Sequence, residues 1–344
     1  MMADMKTDDI SPIIRDKAPL ILAEIKKADR ILLHCHPSPD PDSVGSALAM
    51  KFMLEGMGKK VTVIKGDSEI PRGFMHFPGA NQIVRKNFFE VDLKEFDLFI
   101  VLDSSKEEMI SKIKPIEFPT NLKVIVIDHH NSNKGFGSLN LVEPSYPAVA
   151  QVLFDLFKEW NVKITYDIAA NLFMGIYTDT GGFKYTETSA RTFNIAAELV
   201  AYVPEFPQII SDMENDKTLD ELVFQGEALT SIESFFNGRM ALSVVPYSSI
   251  KDHHVDSKSV SAGSISSILR TMGEFDIVGA CIETNPNAVK VSFRSKDGDK
   301  YDVSKLAVAL GGGGHKAAAG ANLNMPLAEA KALVVSKAKE LYNL

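Results

Sequence analysis

The sequence predicts an α/β protein whose N-terminal part is a mostly parallel, doubly wound sheet. Two patterns predict this class: short, continuous apolar runs of strand length, and helical spacing of apolar residues in the stretches between them. The length adds a second domain, because 344 residues are too many for one ordinary domain and suit two. Buried strands are predicted over four runs, 31–33, 61–64, 98–102 and 124–127.

Helices are predicted between and after these strands. Helix-forming residues follow one another at 17–28, 43–56, 149–160 and 165–176. Ser43 is expected to be the N-cap of the second of these helices, because a serine hydroxyl accepts a hydrogen bond from a free amide of the first turn.

The second half of the chain predicts a smaller α/β domain with a mixed sheet. Asn285-Pro286-Asn287 marks a turn between two strands, and Pro326 suits the first turn of a terminal helix. The expected elements are strands at 239–246, 277–283 and 288–294 and a helix at 325–342. We therefore expect a first domain over 1–212, a linker with a helix over 213–236 and a second domain over 237–344.

Charge and cysteine content narrow the classes of function. The net charge of −8 argues against a protein that follows duplex DNA, but it allows a short nucleotide ligand. Cys35 and Cys281 are the only cysteines, so neither a disulfide framework nor a cysteine zinc site is expected. The N-terminus has no apolar signal-peptide core, and no apolar run approaches the roughly 20 residues of a spanning helix. These features predict a cytoplasmic protein without membrane contact.

Metal-ligand side chains cluster where the predicted strands end. His34-Cys35-His36 follows the first strand, Asp103 the third and Asp128-His129-His130 the fourth. Asp179 also follows an apolar run. Ligands of such sheets bind beyond the carboxyl ends of the strands, so we expect these side chains to meet. Of the first two histidines, we expect His36 to be the ligand, because of its spacing to Asp40.

The loop after the first strand adds two carboxylates. Asp40 and Asp42 alternate with Pro39 and Pro41, whose fixed φ angles stiffen the loop and aim the two carboxylates at two different ions. Carboxylates with imidazoles and no thiolate suit manganese or another divalent ion of intermediate hardness. The ligands suffice for two ions about 3.5–4 Å apart, an arrangement used for phosphoryl transfer.

Each of these residues also has a purely structural interpretation, since an aspartate at a strand end is often a cap. The chain itself contains a second Asp-His-His string at Asp252, His253 and His254, without a strand before it. We expect this copy to be a solvated loop. The first copy is favoured as a metal site because four ligand-rich turns fall where one sheet would gather them.

The order of these motifs resembles that of the DHH phosphoesterase family. The resemblance is carried by His36-x3-Asp40-x-Asp42 with Gly45-Ser46, Asp103, Asp128-His129-His130, Thr178-Asp179-Thr180-Gly181, Ser292-Phe293-Arg294-Ser295 and Gly311-Gly312-Gly313-Gly314-His315-Lys316. The last two segments are similar to the DHH-associated C-terminal domain. The nearest subgroups are the nanoRNases, which also dephosphorylate 3′-phosphoadenosine 5′-phosphate, and the soluble cyclic-di-AMP phosphodiesterases.

The resemblance implies a role for each matched residue. His36 and Asp40 would bind one manganese ion, and Asp103 would bridge it to a second ion. Asp42, His129 and Asp179 would complete the second ion's ligands, and His130 would lie beside the scissile phosphate as an acid or hydrogen-bond donor. In the second domain, the substrate-binding residues would be Arg294, Ser295, Gly312, Gly313, Gly314 and His315. For the glycines, a flexible turn is the alternative.

The implied activity is hydrolysis of short RNA or DNA oligonucleotides, such as pApA, and of 3′-phosphoadenosine 5′-phosphate. A cyclic-di-AMP phosphodiesterase and a nucleotide sensor that does not cut stay open as alternatives, and a homodimer is open as well. The sequence departs from the family's pattern at two places, and both bear on which substrate is bound rather than on which residues bind metal. Met109 stands where many relatives have arginine, and 145–151 replaces a run of hydroxyl residues followed by glutamate.

Overall fold

The computed structural model describes residues 10–215, 217–257 and 260–344. The first nine residues, on which part of the signal-peptide prediction rests, lie outside the described residues. The chain divides after residue 216 into two compact units. The predicted domain bounds 1–212, 213–236 and 237–344 stay a prediction, and each unit is described by itself.

The first unit is built on a parallel sheet with the strand order β2-β1-β3-β4-β5. Its strands are β1 (Arg30–His34), β2 (Lys60–Ile64), β3 (Leu98–Leu102), β4 (Lys123–Asp128) and β5 (Leu139–Val142). The four predicted strands are present, and β5 was not predicted. Because β2 and β3 lie on opposite sides of β1, the connection reverses direction between β1 and β3. Such a reversal opens a crevice at the carboxyl ends of the strands.

Helices cover one face of this sheet. They are α1 (Pro12–Lys27), α2 (Pro41–Gly56), α3 (Val149–Glu159), α4 (Tyr166–Asp179), α5 (Ala190–Val200) and α6 (Phe206–Glu214). Alternate strand residues such as Ile100 pack under these helices, whereas Phe99 and Val101 face an aromatic cluster of short 3₁₀ turns and loops on the other side. Both faces are therefore buried, which explains the continuous apolar runs.

The start of α2 differs from the prediction. Asp40, not Ser43, is the N-cap, and its carboxylate accepts a hydrogen bond from the Ser43 amide at 2.8 Å. Pro41 occupies the first helical position, where its missing N–H costs nothing. The Ser43 hydroxyl instead accepts from the backbone amide of His36 at 2.9 Å. Further along α2, Gly45 allows contact with α4, since a Cβ there would lie 2.4 Å from the Asn171 carbonyl oxygen.

The second unit contains a mixed sheet with the strand order β10-β11-β9-β8-β7-β6. The strands are β6 (Ile232–Phe235), β7 (Met240–Val245), β8 (Ile277–Asn285), β9 (Ala288–Ser295), β10 (Gly313–Gly314) and β11 (Ala318–Leu323). Strands β7 and β8 are parallel, and the other neighbours are antiparallel. The three predicted strands are present, and Asn287 adopts a φ of 61° in the predicted turn.

The helices of the second unit lie on both sides of this sheet. They are α7 (Leu219–Thr230), α8 (Tyr247–Asp252), α9 (Ala262–Leu269), α10 (Val303–Ala309) and α11 (Leu327–Tyr342). Pro326 is the N-cap of α11 and not its first helical residue. The expected linker segment holds α7 and β6, and β6 pairs with β7 in the second sheet.

The second Asp-His-His string is not a plain solvated loop, so that prediction was wrong. Asp252 is the last residue of α8. His253 is partly buried, and its Nε2 lies 2.6 Å from Oε2 of Glu227 on α7. The string therefore helps to join two helices.

In the described part of the chain, every helix is either too short or too polar to cross a membrane.

Candidate metal centre

The first unit brings all six predicted metal ligands to one place. His36, Asp103 and His129 follow neighbouring strands β1, β3 and β4, at the crevice where the connection reverses. Asp40 and Asp42 lie at the start of α2, which follows β1 directly. Asp179 is the last residue of α4, so a helix end supplies this ligand rather than a strand end.

The potential ligands form three overlapping groups among the described residues. The first ligand group contains His36, Asp40 and Asp103. The second ligand group contains Asp42, His129 and Asp179. A third contains Asp103, His129 and His130, and it links the other two. Within each group the ligand atoms lie within 4.8 Å of one another, so two neighbouring ions could share this cluster.

The first ligand group is centred on the His36 ring. Its Nδ1 lies 3.4 Å from Asp40 Oδ2, and its Nε2 lies 3.4 Å from Asp103 Oδ2. Nε2 also contacts the backbone carbonyl of Asp103. Asp103 has a φ of 54°, in the left-handed region that aspartate tolerates better than most residues. This uncommon backbone turn presents both the carbonyl and the carboxylate of Asp103 to the same ring.

The second ligand group is centred on the His129 ring. Its Nε2 lies 3.5 Å from Asp103 Oδ1 and 3.6 Å from Asp179 Oδ2. Its Nδ1 lies 3.0 Å from the backbone carbonyl oxygen of Tyr146, so Nδ1 carries the proton and Nε2 can bind a metal. Asp42 is buried and accepts hydrogen bonds from the amides of Val149 and Ala150 at 2.7 and 3.0 Å.

Asp128, the first residue of the Asp-His-His motif, supports the ligands and lies outside the ligand groups. Its Oδ1 lies 2.8 Å from Nδ1 of His130, and its Oδ2 accepts from Asn133 Nδ2 at 2.7 Å. Burial opposes ionisation of Asp128, but these hydrogen bonds hold its pKa below the usual value. Asp128 thus fixes the orientation of the His130 ring. Sequence reasoning missed Asn133, because nothing in its local pattern distinguishes it from a turn residue.

The electrostatics of the cluster favour a bound cation. Burial raises the pKa of Asp103 and Asp179 well above the usual carboxyl value, and neighbouring carboxylates such as Asp42 raise both further. Burial alone would lower the pKa of His36, but Asp103 and Asp40 raise it to about 10. Ionising these carboxyl groups together is therefore costly, and divalent cations would offset that cost.

His34 has a different environment from His36. It is fully buried, and burial together with nearby His36 lowers its pKa to about 3. Its Nδ1 lies 3.1 Å from the Cys35 carbonyl oxygen, and its ring packs edge-on against Phe99. His34 is thus a neutral core residue, and His36 is the one that lies in a ligand group.

The residues present fit divalent metal ions. Asp103 Oδ1 is buried and has no hydrogen-bond partner among the described residues, which is costly unless a cation satisfies it. The donors are carboxylates and imidazoles, a set suited to divalent ions of intermediate hardness. Cys35 is buried and lies outside the ligand groups.

The predicted substrate residues of the second unit lie on or beside β9 and β10, which β11 separates in the sheet. Arg294, near the end of β9, pairs with Ala318 of β11 and donates to Ser292 Oγ at 3.1 Å and to the Phe293 carbonyl at 3.0 Å. Ser295 is buried, and its Oγ has no hydrogen-bond partner among the described residues. Two of the six predicted substrate residues therefore belong to β9 and two to β10, while Gly312 directly precedes β10 and His315 directly follows it.

The glycine run is a structured edge strand, so its glycines are not only a flexible turn. Gly313 and Gly314 form β10, and the His315 amide donates to the Ala318 carbonyl at 2.8 Å to close a tight hairpin. A Cβ at Gly312 would lie 2.1 Å from the Gly320 carbonyl oxygen, so only glycine fits there. Gly313 has open space around it. The run is exposed from Gly311 to Lys316, which leaves its backbone accessible to a ligand.

Two family models match the chain. The N-terminal domain of the DHH family matches residues 30–176, and the DHHA1 domain matches residues 240–343. The chain is 29% identical over 308 residues to the bifunctional oligoribonuclease and PAP phosphatase NrnA of Thermus thermophilus, covering 88% of this chain and 87% of that protein. It is 27% identical over 315 residues to the protein of the same name from Bacillus subtilis, covering 88% and 92%.

A solved structure extends the similarity to the fold. An exopolyphosphatase-related protein from Bacteroides fragilis matches with a TM-score of 0.85, covering 96% of this chain and 97% of that chain. Its sequence identity is 22%, so this match concerns the fold alone. Together, the two domain matches in family order, the relatives and the Asp/His cluster that could hold divalent metal show that the chain belongs to the DHH family of phosphoesterases.

Proposed function

We propose that this protein is a manganese-dependent phosphodiesterase that hydrolyses short oligonucleotides, such as pApA, and 3′-phosphoadenosine 5′-phosphate with two metal ions. The observation that carries the proposal is the overlap of the ligand groups. Asp103 belongs to the first and third groups, and its two carboxylate oxygens face different histidines, His36 and His129. A carboxylate placed between two ligand sets is what a bridging ligand requires.

In this proposal, the first ligand group holds one ion and the second ligand group holds the other. When bound, the ions would supply an activated water and would neutralise charge that develops on the phosphate. The protein holds the ligands in place beforehand, because Asp42 and His129 are both fixed by hydrogen bonds from or to backbone groups. All the aspartates of the cluster are assigned as ligands, and none as the general base.

His130 is proposed to contact the scissile phosphate. Its Nδ1 is directed at Asp128 and lies 3.8 Å from Asp103 Oδ1, so the ring lies beside the ligand groups. An imidazole oriented by a carboxylate can donate a hydrogen bond to a phosphate oxygen or a proton to the leaving group. This arrangement supports a direct role in the reaction.

The second unit is proposed to bind substrate phosphate through Arg294, Ser295, Gly312, Gly313, Gly314 and His315. A guanidinium forms strong, directional hydrogen bonds with phosphate oxygens. The exposed backbone of the glycine run lets a phosphate approach closely, because no side chain intervenes. The net charge of −8 supports short substrates over duplex DNA. The two cysteines are buried and unpaired, which supports a reducing, cytoplasmic location.

The test is turnover of pApA, 3′-phosphoadenosine 5′-phosphate and cyclic-di-AMP side by side with added Mn²⁺, and again with a chelator. We expect fast cutting of pApA or of the monoester substrate, and loss of activity with the chelator. Preferential cutting of cyclic-di-AMP would make the protein a signalling phosphodiesterase. Tight nucleotide binding without any cutting would contradict the proposal and support a sensor. The molar mass in solution, measured in the same samples, distinguishes a monomer from a homodimer.

A further inference from the structure

One segment, residues 143–150, contacts the second ligand group through its backbone. The Tyr146 carbonyl accepts from His129 Nδ1 at 3.0 Å, and the amides of Val149 and Ala150 donate to the two oxygens of Asp42 at 2.7 and 3.0 Å. These amides belong to the first turn of α3, where free N–H groups and the helix dipole favour an anion. Two of the three ligands in this group thus depend on the position of one short stretch of backbone.

The same segment is fastened by a buried polar network. The Tyr146 hydroxyl donates to Asp155 Oδ2 at 2.5 Å, and Arg191 of α5 donates to the other oxygen of Asp155. Asp155 is completely buried and Tyr146 nearly so. At the start of the segment, Glu143 accepts from the Ser145 hydroxyl at 2.6 Å. The bonds to Asp155 are strong because its carboxyl group is shielded from water and faces the charged Arg191, whereas Ser145 is exposed.

The first ligand group has a separate support. The His36 amide donates to Ser43 Oγ at 2.9 Å, and Asp40 accepts from the Ser43 amide at 2.8 Å. Both bonds lie within the connection between β1 and α2. The third ligand group links the first and second groups through Asp103 and His129, but the supporting hydrogen bonds of these two groups come from different parts of the chain.

We propose that Tyr146, Asp155 and Arg191 are positioning residues for the metal ion held by Asp42, His129 and Asp179. Tyr146 connects the buried network to the second ligand group, because its hydroxyl donates to Asp155 and its carbonyl accepts from His129 Nδ1. Arg191 and Asp155 hold the tyrosine, and the tyrosine carbonyl fixes the proton of His129 on Nδ1. The inference rests on the proposed two-ion function.

The test is a calorimetric Mn²⁺ titration of the full chain after its metal has been removed with a chelator. The wild-type protein should bind two ions. Loss of an outer hydrogen bond to a metal ligand typically weakens metal binding about 10- to 100-fold. Tyr146→Phe and Asp155→Asn remove bonds one step further out, which hold the Tyr146 carbonyl in place, so each should weaken the binding of one ion by about tenfold. The matched control is Tyr166→Phe, which removes the hydroxyl of an exposed tyrosine outside this network in the same unit and should change neither affinity.

Two background variants identify the ion that is affected. In the His36→Ala background, the second ligand group should bind the one remaining ion. Adding Tyr146→Phe should then weaken the binding of that ion. In the Asp179→Ala background, the first ligand group should bind the one remaining ion. Adding Tyr146→Phe should leave the affinity for that ion unchanged. Equal weakening in both backgrounds would overturn the positioning role and indicate a general loss of structure.

A second variant acts on the backbone directly. Val149→Pro removes the amide that donates to Asp42, at the first helical position, where proline is favoured. The preceding residue, Ala148, is already extended, as proline requires. This variant should also weaken only the binding of the ion at the second ligand group. If the variants lower the melting temperature of the metal-free protein while both affinities stay at wild-type values, the network is structural only and the inference is wrong. If the wild-type protein binds fewer than two ions, the proposed function itself fails.

Discussion

The tripeptide Asp-His-His occurs twice in the chain, and its two copies have different surroundings. Asp128 is the last residue of β4, and its histidines lie at the carboxyl edge of a parallel sheet beside Asp103. Asp252 is the last residue of a short helix, and His253 contacts one carboxylate, that of Glu227. Among the described residues, only the first copy contributes to potential ligand groups.

The difference shows that topology, rather than the tripeptide, makes the candidate site. Parallel strands direct their carboxyl ends to one edge, so residues distant in the sequence meet there. The end of α8 gathers no such set among the described residues, and His253 pairs there with one carboxylate, that of Glu227 on α7. The four predictions below compare the two copies, beginning with the largest expected effect.

Asp103→Asn should reduce turnover of pApA by on the order of 10³-fold or more, because the shared ligand would be lost from both ion positions. Asparagine is preferable to alanine here, since it tolerates the φ of 54°. The measurement is initial rate with saturating Mn²⁺. Substantial retained activity would contradict the two-ion arrangement and remove the main distinction between the two copies.

His129→Ala and His253→Ala form the direct comparison. His129→Ala should also lower turnover by on the order of 10³-fold, because the second ligand group loses its only imidazole. His253→Ala should leave turnover within about twofold of wild type, as expected for a surface change away from the reacting groups. Both variants are assayed under the same conditions, and a large loss in His253→Ala would show that the second copy has a part in activity.

Much of this difference could be predicted from the sequence. The apolar runs before His36, Asp103 and Asp128 predicted the strands, and the strands predicted the meeting of the ligands. The short strands β6 and β10 were not predicted, because four and two residues are too few to show a hydrophobic period. Asp179 was expected after an apolar run, and that run is the helix α4, which agrees with the helix predicted over 165–176.

The supporting bonds of the site could not be predicted. The carbonyl of Tyr146 and the amides of Val149 and Ala150 are backbone groups, which every residue possesses, so no side-chain pattern marks them. The N-cap of α2 was misassigned for a related reason. Asp40 and Ser43 are both good capping residues. Asp40 is the N-cap because Pro41 takes the first helical position and because the Ser43 hydroxyl accepts a hydrogen bond from the His36 amide instead.

Asp128→Asn should have a smaller effect than loss of a ligand. The amide can still accept from His130, but it lacks the charge that strengthens this bond, so turnover should fall about 10- to 100-fold. Asp252→Asn is the matched variant and should have wild-type turnover. The comparison uses kcat and KM separately, because a misoriented His130 should lower kcat. An unchanged kcat in Asp128→Asn would mean that His130 needs no carboxylate to hold it.

The smallest effect concerns stability and its dependence on metal. Mn²⁺ at about 100 times its Kd should stabilise the wild-type protein against unfolding by about 2.7 kcal/mol per site, and His253→Ala should show the same gain. Loss of the His253–Glu227 hydrogen bond should cost about 1 kcal/mol, equally with and without metal, because this bond belongs to the second unit and the ligand groups belong to the first. His129→Ala should instead lose much of the metal-dependent gain. Thermal unfolding with and without Mn²⁺ measures both quantities, and a metal-dependent cost in His253→Ala would mean that the two Asp-His-His copies are energetically coupled.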